Sequence, residues 1–327
     1  MKAAWYEQQG SADTVLNIGE MSCPPIGEND VLIRIYLSGI NPSDVKKRNG
    51  ARGAISYPRI IPHSDGAGII EAVGTNISQH RIGQRVWIYN AQSNRPFGTA
   101  AEYIVLPAEL AVPLPDNISF EEGACLGVPA FTAHRAVFAE GPVDGKVILV
   151  TGGAGNVARY TIQLAKWGNA TVISTVSSAK KAQYAKDAGA DFVINYREEN
   201  IVDQINLFTN NKGVDGIVEV DFGANLNISK DIIKHNGFIS SYASTANPTP
   251  EFPFYPLMFK GVNIHLVDVY NLPHEKRIHA IRDITSALES NKLTSVIGSD
   301  LPLEEIITAH QLVENGKTIG HVLLSIK

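Results

Sequence analysis

The sequence predicts an α/β protein of two domains: a mostly-β domain, then a doubly wound parallel sheet, with the end of the chain returning to the first domain. Three observations support this. At 327 residues the chain is about twice the usual single-domain size. Up to about residue 125, short apolar runs are cut by Gly, Pro, Asn and Asp, the pattern of strands and turns. From about residue 146 the rhythm changes to strand, helix, strand, helix at the spacing of βαβ units.

In the first part the clearest strands are residues 31–35, 67–73, 85–89 and 101–106. The second part opens with a fully apolar strand at 147–150 and a helix at 157–167 that carries Ile162, Leu164 and Ala165 on its apolar side. Strands follow at 171–176, 192–196, 217–220, 238–242 and 262–267, most of them continuous β-branched or aromatic runs, as parallel strands covered on both faces require. Six such strands fit a dinucleotide-binding sheet. Beyond them the sequence predicts helices at 275–291 and 303–315 and a last strand at 321–326. The expected division is 1–126 with 270–327 for the first domain and 127–269 for the second.

Composition narrows the function classes. With 44% hydrophobic and 19% charged residues nothing reads as disordered, and a net charge of -5 without a basic stripe argues against nucleic acid as a primary partner. No segment has the apolar core of a signal peptide or approaches the ~18 apolar residues of a membrane span, so a cytoplasmic protein without a membrane partner is expected. The two cysteines, Cys23 and Cys125, have no Cys or His neighbour at metal-ligand spacing.

The stretch Val150-Thr151-Gly152-Gly153-Ala154-Gly155-Asn156-Val157-Ala158 runs from a buried strand through a glycine-rich turn into a helix. Gly152 permits the tight exit from the strand, Gly155 lets the backbone approach a pyrophosphate, and Ala158 allows close helix packing. The helix N-terminus offers unpaired N–H groups to the phosphates. In NAD-binding folds an acid stands about twenty residues further on and holds the ribose 2′-hydroxyl. Here that place reads Ser174-Thr175-Val176-Ser177-Ser178-Ala179-Lys180-Lys181, without an acid. Hydroxyls and an ammonium accept a 2′-phosphate that a carboxylate would repel, so NADPH is the expected cofactor, with Thr175, Ser177 and Lys181 as its contacts. On a purely structural reading, Ser178 caps the next helix and the lysines are solvated.

Further motifs extend over the chain: Ser38-Gly39-Ile40-Asn41-Pro42-Ser43-Asp44, Asp65-Gly66-Ala67-Gly68, Glu71-Ala72-Val73-Gly74, Gly83-Gln84-Arg85-Val86, Gly127-Val128-Pro129-Ala130-Phe131-Thr132-Ala133 and Val193-Ile194-Asn195-Tyr196. On these residues the chain resembles the medium-chain dehydrogenase/reductase superfamily, in its zinc-independent quinone oxidoreductase and zeta-crystallin branch. The resemblance spans essentially the whole length and implies a GroES-like catalytic domain and a Rossmann domain. Relatives carry a second glycine where Asn156 stands; asparagine tolerates unusual backbone angles, so cofactor binding is expected to survive.

Zinc alcohol dehydrogenases of this superfamily place a Cys near position 41 and a Gly-His-Glu run near 63–65. This chain has Asn41 and His63-Ser64-Asp65, and His63 alone makes no three-ligand site. Without zinc to stabilise an alkoxide, the acceptor is expected to be one whose reduced anion is already delocalised, a quinone or an electron-poor enone. The resemblance implies that Asn41, Asp44 and Tyr57 line the substrate cleft. It brings Thr132 to the nicotinamide side, Tyr196 and Lys317 to the 2′-phosphate side, and Ser241 and Val267 to the cofactor through their backbone. As plain sequence, Asn41 and Asp44 also suit a turn around Pro42, Tyr57 before proline suits a packed loop, and His63 suits a hydrogen-bonded loop.

An enoyl-thioester or alkenal reductase shares these features, and Lys46, Lys47, Arg48, Arg52 and Arg59 form a modest basic cluster of the kind a thioester carrier needs. A crystallin-like structural or RNA-binding role is the more distant alternative. Relatives pair through the edge strand of the Rossmann sheet, here 262–267, so a homodimer is expected.

Overall fold

The structure, a computed structural model, describes residues 1–326. The chain opens with β1 (Lys2–Trp5), α1 (Ala12–Val15), β2 (Asn17–Glu20), β3 (Asp30–Ile40), α2 (Pro42–Arg48), β4 (Asp65–Val73), β5 (Arg85–Ile88), β6 (Tyr103–Pro107), β7 (Ala111–Pro113) and α3 (Phe120–Gly123). A regular alternation follows: α4 (Gly127–Val137), β8 (Val147–Val150), α5 (Asn156–Trp167), β9 (Thr171–Val176), α6 (Ala179–Asp187), β10 (Phe192–Asn195), α7 (Ile201–Thr209), β11 (Val214–Glu219), α8 (Phe222–Ile232), β12 (Ile233–Ser241), α9 (Phe254–Lys260) and β13 (Asn263–Leu266). Last come α10 (His274–Glu289), β14 (Ile297–Pro302), α11 (Ile306–Asn315) and β15 (His321–Ser325).

These elements form two compact units, one of Met1–Pro129 with the segment from Thr294 onward, the other of Ala130–Leu293. The return therefore comes later than residue 270, where the sequence put it. Helix α10 buries Ala280, Ile284, Ala287 and Leu288, and its Asp283 meets His134 of α4, so it belongs with the second unit.

In the first unit a seven-stranded sheet runs β14-β15-β3-β4-β5-β7, with β6 also paired to β3. Strand β3 is its hub and is much longer than the predicted 31–35, because it continues through Ser38 and Gly39 to Ile40. Glycine is required at 39 for packing: a Cβ there would come within 2.1 Å of the Ala124 carbonyl oxygen. Val31, Ile33 and Ile35 point into a core with Ile70, Val86 and Ile104, and α11 closes it with Ile306 and Ala309. Each such side chain contributes about 1.5–3 kcal/mol by leaving water.

The second unit holds the six predicted strands in one sheet, β10-β9-β8-β11-β12-β13, with every pair parallel. Numbered from β8, this is the order 3-2-1-4-5-6 of dinucleotide-binding sheets, whose ligands lie beyond the carboxyl ends of the strands where the order reverses. Its core is aliphatic: Leu149, Ile173, Ile194, Ile217 and Ile239. Strand β13 is an edge.

Candidate active site

In the second unit, β8 ends at Val150 and the chain turns through Gly152 at φ 66°, a conformation that favours glycine. Gly153 lies against β9: its N–H donates to the Thr175 carbonyl at 2.9 Å, and a Cβ there would sit 2.0 Å from Ser174 Oγ. Close packing against the sheet therefore falls to Gly153 as well as to the buried Ala158. Gly155 caps α5, and a Cβ on it would meet nothing nearer than the Gly152 carbonyl at 3.5 Å. The turn thus presents open backbone at a helix N-terminus, which fits a pyrophosphate. Asn156 is the first residue of α5 and has no positive φ, so the backbone tolerance expected of it is not used.

Ala154 and Val157 flank Gly155 and Asn156 on the turn and on the first turn of α5. Gly152, Thr175 and Tyr196 line one cavity of about 440 Å³, together with Thr151, Glu219 and Val220. Thr175 Oγ1 accepts from Gly152 N at 3.3 Å, and the chain leaving β10 runs beside the end of β9, with Tyr196 N donating to the Val176 carbonyl at 3.0 Å. Lys181 Nζ donates to Ser177 Oγ at 3.1 Å, while Ser178 caps α6 by accepting from Lys181 N at 3.4 Å. A hydroxyl and an ammonium are therefore paired just beyond the end of β9. Ser241 and Val267 are adjacent, the Val267 N–H donating to the Ser241 carbonyl at 2.8 Å. Thr132 is buried in α4, and Lys317 is exposed in the first unit, between α11 and β15.

Sequence reasoning passed over Glu219. It is fully buried at the end of β11, and its Oε1 accepts from Thr151 Oγ1, Asp221 N and Asn225 Nδ2, each within 2.8 Å. Burial pushes its carboxyl up despite these bonds. The available signal was an acid among the apolar residues of the predicted strand 217–220.

In the first unit, Asn41 and Asp44 meet at the start of α2, where the Asp44 carboxylate accepts from Asn41 N at 2.8 Å. Asn41 Nδ2 donates to Asp65 Oδ2 at 2.6 Å, and Val128 N, at the start of α4, donates to both Asp65 oxygens at 2.9 Å. All three side chains are buried. Burial lifts the Asp44 carboxyl to about 6, only partly offset by Lys47 and by the Asn41 backbone. Burial, then the neighbouring Asp44 charge, raises Asp65 well above the usual carboxylate range. Asp65 was quoted only as a motif residue; an isolated acid among strand glycines was the clue to it.

Tyr57 does not join this cluster directly. Its hydroxyl donates to the Asn94 carbonyl at 2.6 Å, and it lines a cavity of about 210 Å³ with Tyr6, Lys47, Arg52 and Gln92. Lys47 Nζ reaches Gln92 Oε1 at 3.1 Å and also bears on Asp44.

Behind the cluster lies a buried relay. Arg48 Nε donates to His310 Nδ1 at 3.3 Å, His310 Nε2 meets His63 Nε2 at 2.9 Å, and His63 Nδ1 meets Ser38 Oγ at 2.8 Å. Ser38 then meets Thr99 Oγ1 at 2.7 Å, and Thr99 donates to the Asp65 carbonyl at 2.6 Å. His63 sits at φ 79°, at the place of the glycine in a Gly-His-Glu run. Burial holds both imidazoles neutral, pushing His310 down to about 3 and His63 well below the usual range.

The donors where a catalytic zinc would sit do not suit it. A carboxamide replaces the thiolate, Ser64 replaces the imidazole, and Asp65 is committed to Asn41 and Val128.

Residues 27–116 match the family described as the alcohol dehydrogenase GroES-like domain, and residues 157–286 the family described as zinc-binding dehydrogenase. The quinone oxidoreductase of Homo sapiens is 30% identical over 319 residues, covering 97% of this chain and 94% of that protein. The 2-methylene-furan-3-one reductase of Solanum lycopersicum is 30% identical over 332 residues, covering 99% of this chain and 79% of the relative. Among solved structures, the quinone oxidoreductase of Escherichia coli complexed with NADPH has a TM-score of 0.87 at 26% identity, covering 99% of this chain and 100% of that one.

Proposed function

The chain belongs to the medium-chain dehydrogenase/reductase superfamily, in its quinone oxidoreductase and zeta-crystallin branch, and from that we propose that it is an NADPH-dependent quinone oxidoreductase working without a catalytic metal. The observation that carries the metal-free reading is the 2.6 Å bond from Asn41 to Asp65, which satisfies in protein terms the positions a zinc would claim. Bound NADPH supplies the hydride. The glycine turn, with the start of α5, would hold the pyrophosphate; Thr175, Ser177 and Lys181 would hold the 2′-phosphate side, where Tyr196 would also serve; and Thr132, Ser241 and Val267 would serve the nicotinamide half. Asp65 fixes the Asn41 amide, whose second N–H is then oriented toward an acceptor oxygen. Asp44, lifted to about 6, can take up a proton close to neutral pH and pass it to the reduced quinone. Tyr57, with its proton given to Asn94, keeps an acceptor lone pair facing the adjoining cavity.

A conjugated enone is the second reading, favoured by the tomato relative. A carrier thioester is less well supported: within the basic cluster Arg48 is buried against His310 and Glu314, Arg59 pairs with Glu7, and Lys47 turns to Gln92. Turnover of a naphthoquinone, an alkenal and a crotonyl thioester, each with NADPH and NADH, tests the proposal. Preference for the thioester by orders of magnitude overturns it.

The proposed assembly is a homodimer joined along β13. Support comes from the exposed Phe254, Tyr255, Phe259 and Leu266 on α9 and that edge strand, a wide apolar patch for a monomer. Leu266→Asp is expected to shift the mass in solution from dimer to monomer; a wild-type monomer refutes the assignment. The proposed compartment is the cytoplasm, which suits a chain with only two cysteines, Cys23 exposed and Cys125 buried. Among the described residues no helix is long and apolar enough to cross a membrane.

A further inference from the structure

Within the second unit, away from the glycine turn, three metal-ligating side chains converge. His134 projects from α4, and His279 and Asp283 stand one turn apart on the same face of α10. His134 Nε2 lies 2.9 Å from Asp283 Oδ2, His279 Nε2 lies 3.1 Å from the same oxygen, and all three donor atoms fall within 4.8 Å of one another. We infer that these residues form a binding site for a borderline divalent transition cation of the zinc, cobalt and nickel class.

Geometry carries the inference. Metal–nitrogen and metal–oxygen bonds of about 2.0–2.1 Å place neighbouring donors of a tetrahedral site about 3.3 Å apart. Two of the three separations are already within a few tenths of an ångström of that edge, so modest ring rotations admit the ion. The chemistry of the donor set agrees, since two imidazoles and a carboxylate are ligands of zinc-like ions rather than of calcium or magnesium. Asp283 is oriented from behind: its other oxygen accepts from Arg282 Nε at 3.2 Å and from Arg282 Nη2 at 3.1 Å, as ligating carboxylates commonly are. His134 Nδ1 is buried with no hydrogen-bond partner and Nε2 donates to the Asp283 carboxylate, so for Nε2 to become a ligand its proton moves to Nδ1 as the ion takes the proton's place between the two residues.

Access is open on one side only. The His134 side chain is fully buried and that of Asp283 is 14% exposed, but His279 is 49% exposed, leaving water to complete the coordination. An ion in the site would tie α4 to α10, the two helices that begin and end the second unit's stretch of chain. Separation in sequence conceals it, because His134 lies far along the chain from the His279 and Asp283 pair.

The test uses the full-length protein without a histidine tag, stripped with a chelator and titrated with Co²⁺ while visible absorption is followed. The expected result is one Co²⁺ per chain with the intense d–d bands of four or five coordination, displacement by Zn²⁺, and a higher melting temperature with Zn²⁺. His279→Ala is expected to weaken Co²⁺ binding at least about 100-fold, beyond the ~10–100-fold that loss of a supporting partner brings. Because His279 is exposed, the variant is expected to fold and to bind NADPH as the wild type does. Asp283→Asn, which keeps the size of the side chain, is expected to lose the bands. Absence of the bands in the wild type, or equal Co²⁺ affinity in wild type and His279→Ala, overturns the assignment.

Discussion

Replacing Asp44 by Asn removes a buried carboxyl whose charge the fold resists. Its folded-state pKa is lifted from 3.8 to about 6, chiefly by burial. Between those values the native state keeps a proton that the unfolded state has lost, so stability falls as pH rises through the window and the deficit is complete above about 6. About two pH units at about 1.4 kcal/mol each amount to ~3 kcal/mol. Asn keeps one oxygen to accept from Asn41 N and carries no charge, so the variant is expected to match wild type at pH 4 and to be more stable by up to ~3 kcal/mol at pH 7. At roughly 2–4 °C per kcal/mol for a unit of this size, that is a rise of several degrees in melting temperature. Asp65 retains its own dependence in the variant, at a lower pH because the Asp44 charge that raised it is gone. Calorimetric melts of both proteins without nucleotide, from pH 4 to 8 at constant ionic strength, check this. Parallel curves for the two proteins would falsify the reasoning. Turnover is expected to fall in the same variant, which would make Asp44 a residue kept for function at the expense of stability.

Three other substitutions test other parts of the site. Gly153→Ala sets a methyl 2.0 Å from Ser174 Oγ and is expected to destabilise by about 1–3 kcal/mol; Ser174→Ala should recover part of the loss, and no recovery would point to a different clash. Lys181→Glu reverses the charge beside Ser177 and is expected to raise KM for NADPH roughly 10–100-fold, matching a charged hydrogen bond of about 1.5–3 kcal/mol, with little change for NADH; equal effects on both cofactors count against the 2′-phosphate assignment. Gly127→Ala would place a methyl 2.0 Å from Asp65 Oδ1, displacing the carboxylate that holds Asn41 and Val128. The expected result is a loss of at least about tenfold in kcat with the quinone, on the scale of a misplaced catalytic group, and unchanged activity would remove Asp65 from its positioning role.

What the sequence disclosed follows from how far each feature extends along the chain. The six strands of the second unit are continuous apolar runs, and the glycine turn is contiguous, so local pattern was enough for both. Strand β14 was missed because Gly298 and Pro302 interrupt a half-exposed alternation, and β3 was cut short because Ser38 and Gly39 resemble punctuation until Ala124 is seen against Gly39. Helix α10 was assigned to the wrong unit because periodicity reveals an apolar stripe but not what covers it. The site divided in the same way. Asn41 and Asp44 are three residues apart, so one motif holds both; Asp65, which bonds Asn41 from 24 residues away and beyond α2, was noted only as a motif residue.

The relay behind Asp65 shows why the end of the chain belongs to this site although no motif there says so. A guanidinium donates and cannot accept, so His310 Nδ1, facing Arg48, must carry no proton. His310 Nε2 then carries one and donates to His63 Nε2, which leaves His63 Nδ1 to donate to Ser38, Ser38 to Thr99, and Thr99 to the carbonyl of Asp65. Every proton in the series is fixed by a single cation on α2, which Glu314 of α11 neutralises. Each link has one donor and one acceptor, so the chain can run in one direction only, and a buried network satisfied in that way is rigid. Rigidity at the Asp65 backbone is what its carboxylate needs in order to hold the Asn41 amide at one angle. His310 and Glu314 supply that rigidity from α11, which accounts for a C-terminal segment that returns to the first unit and packs beneath the site rather than ending with the second sheet.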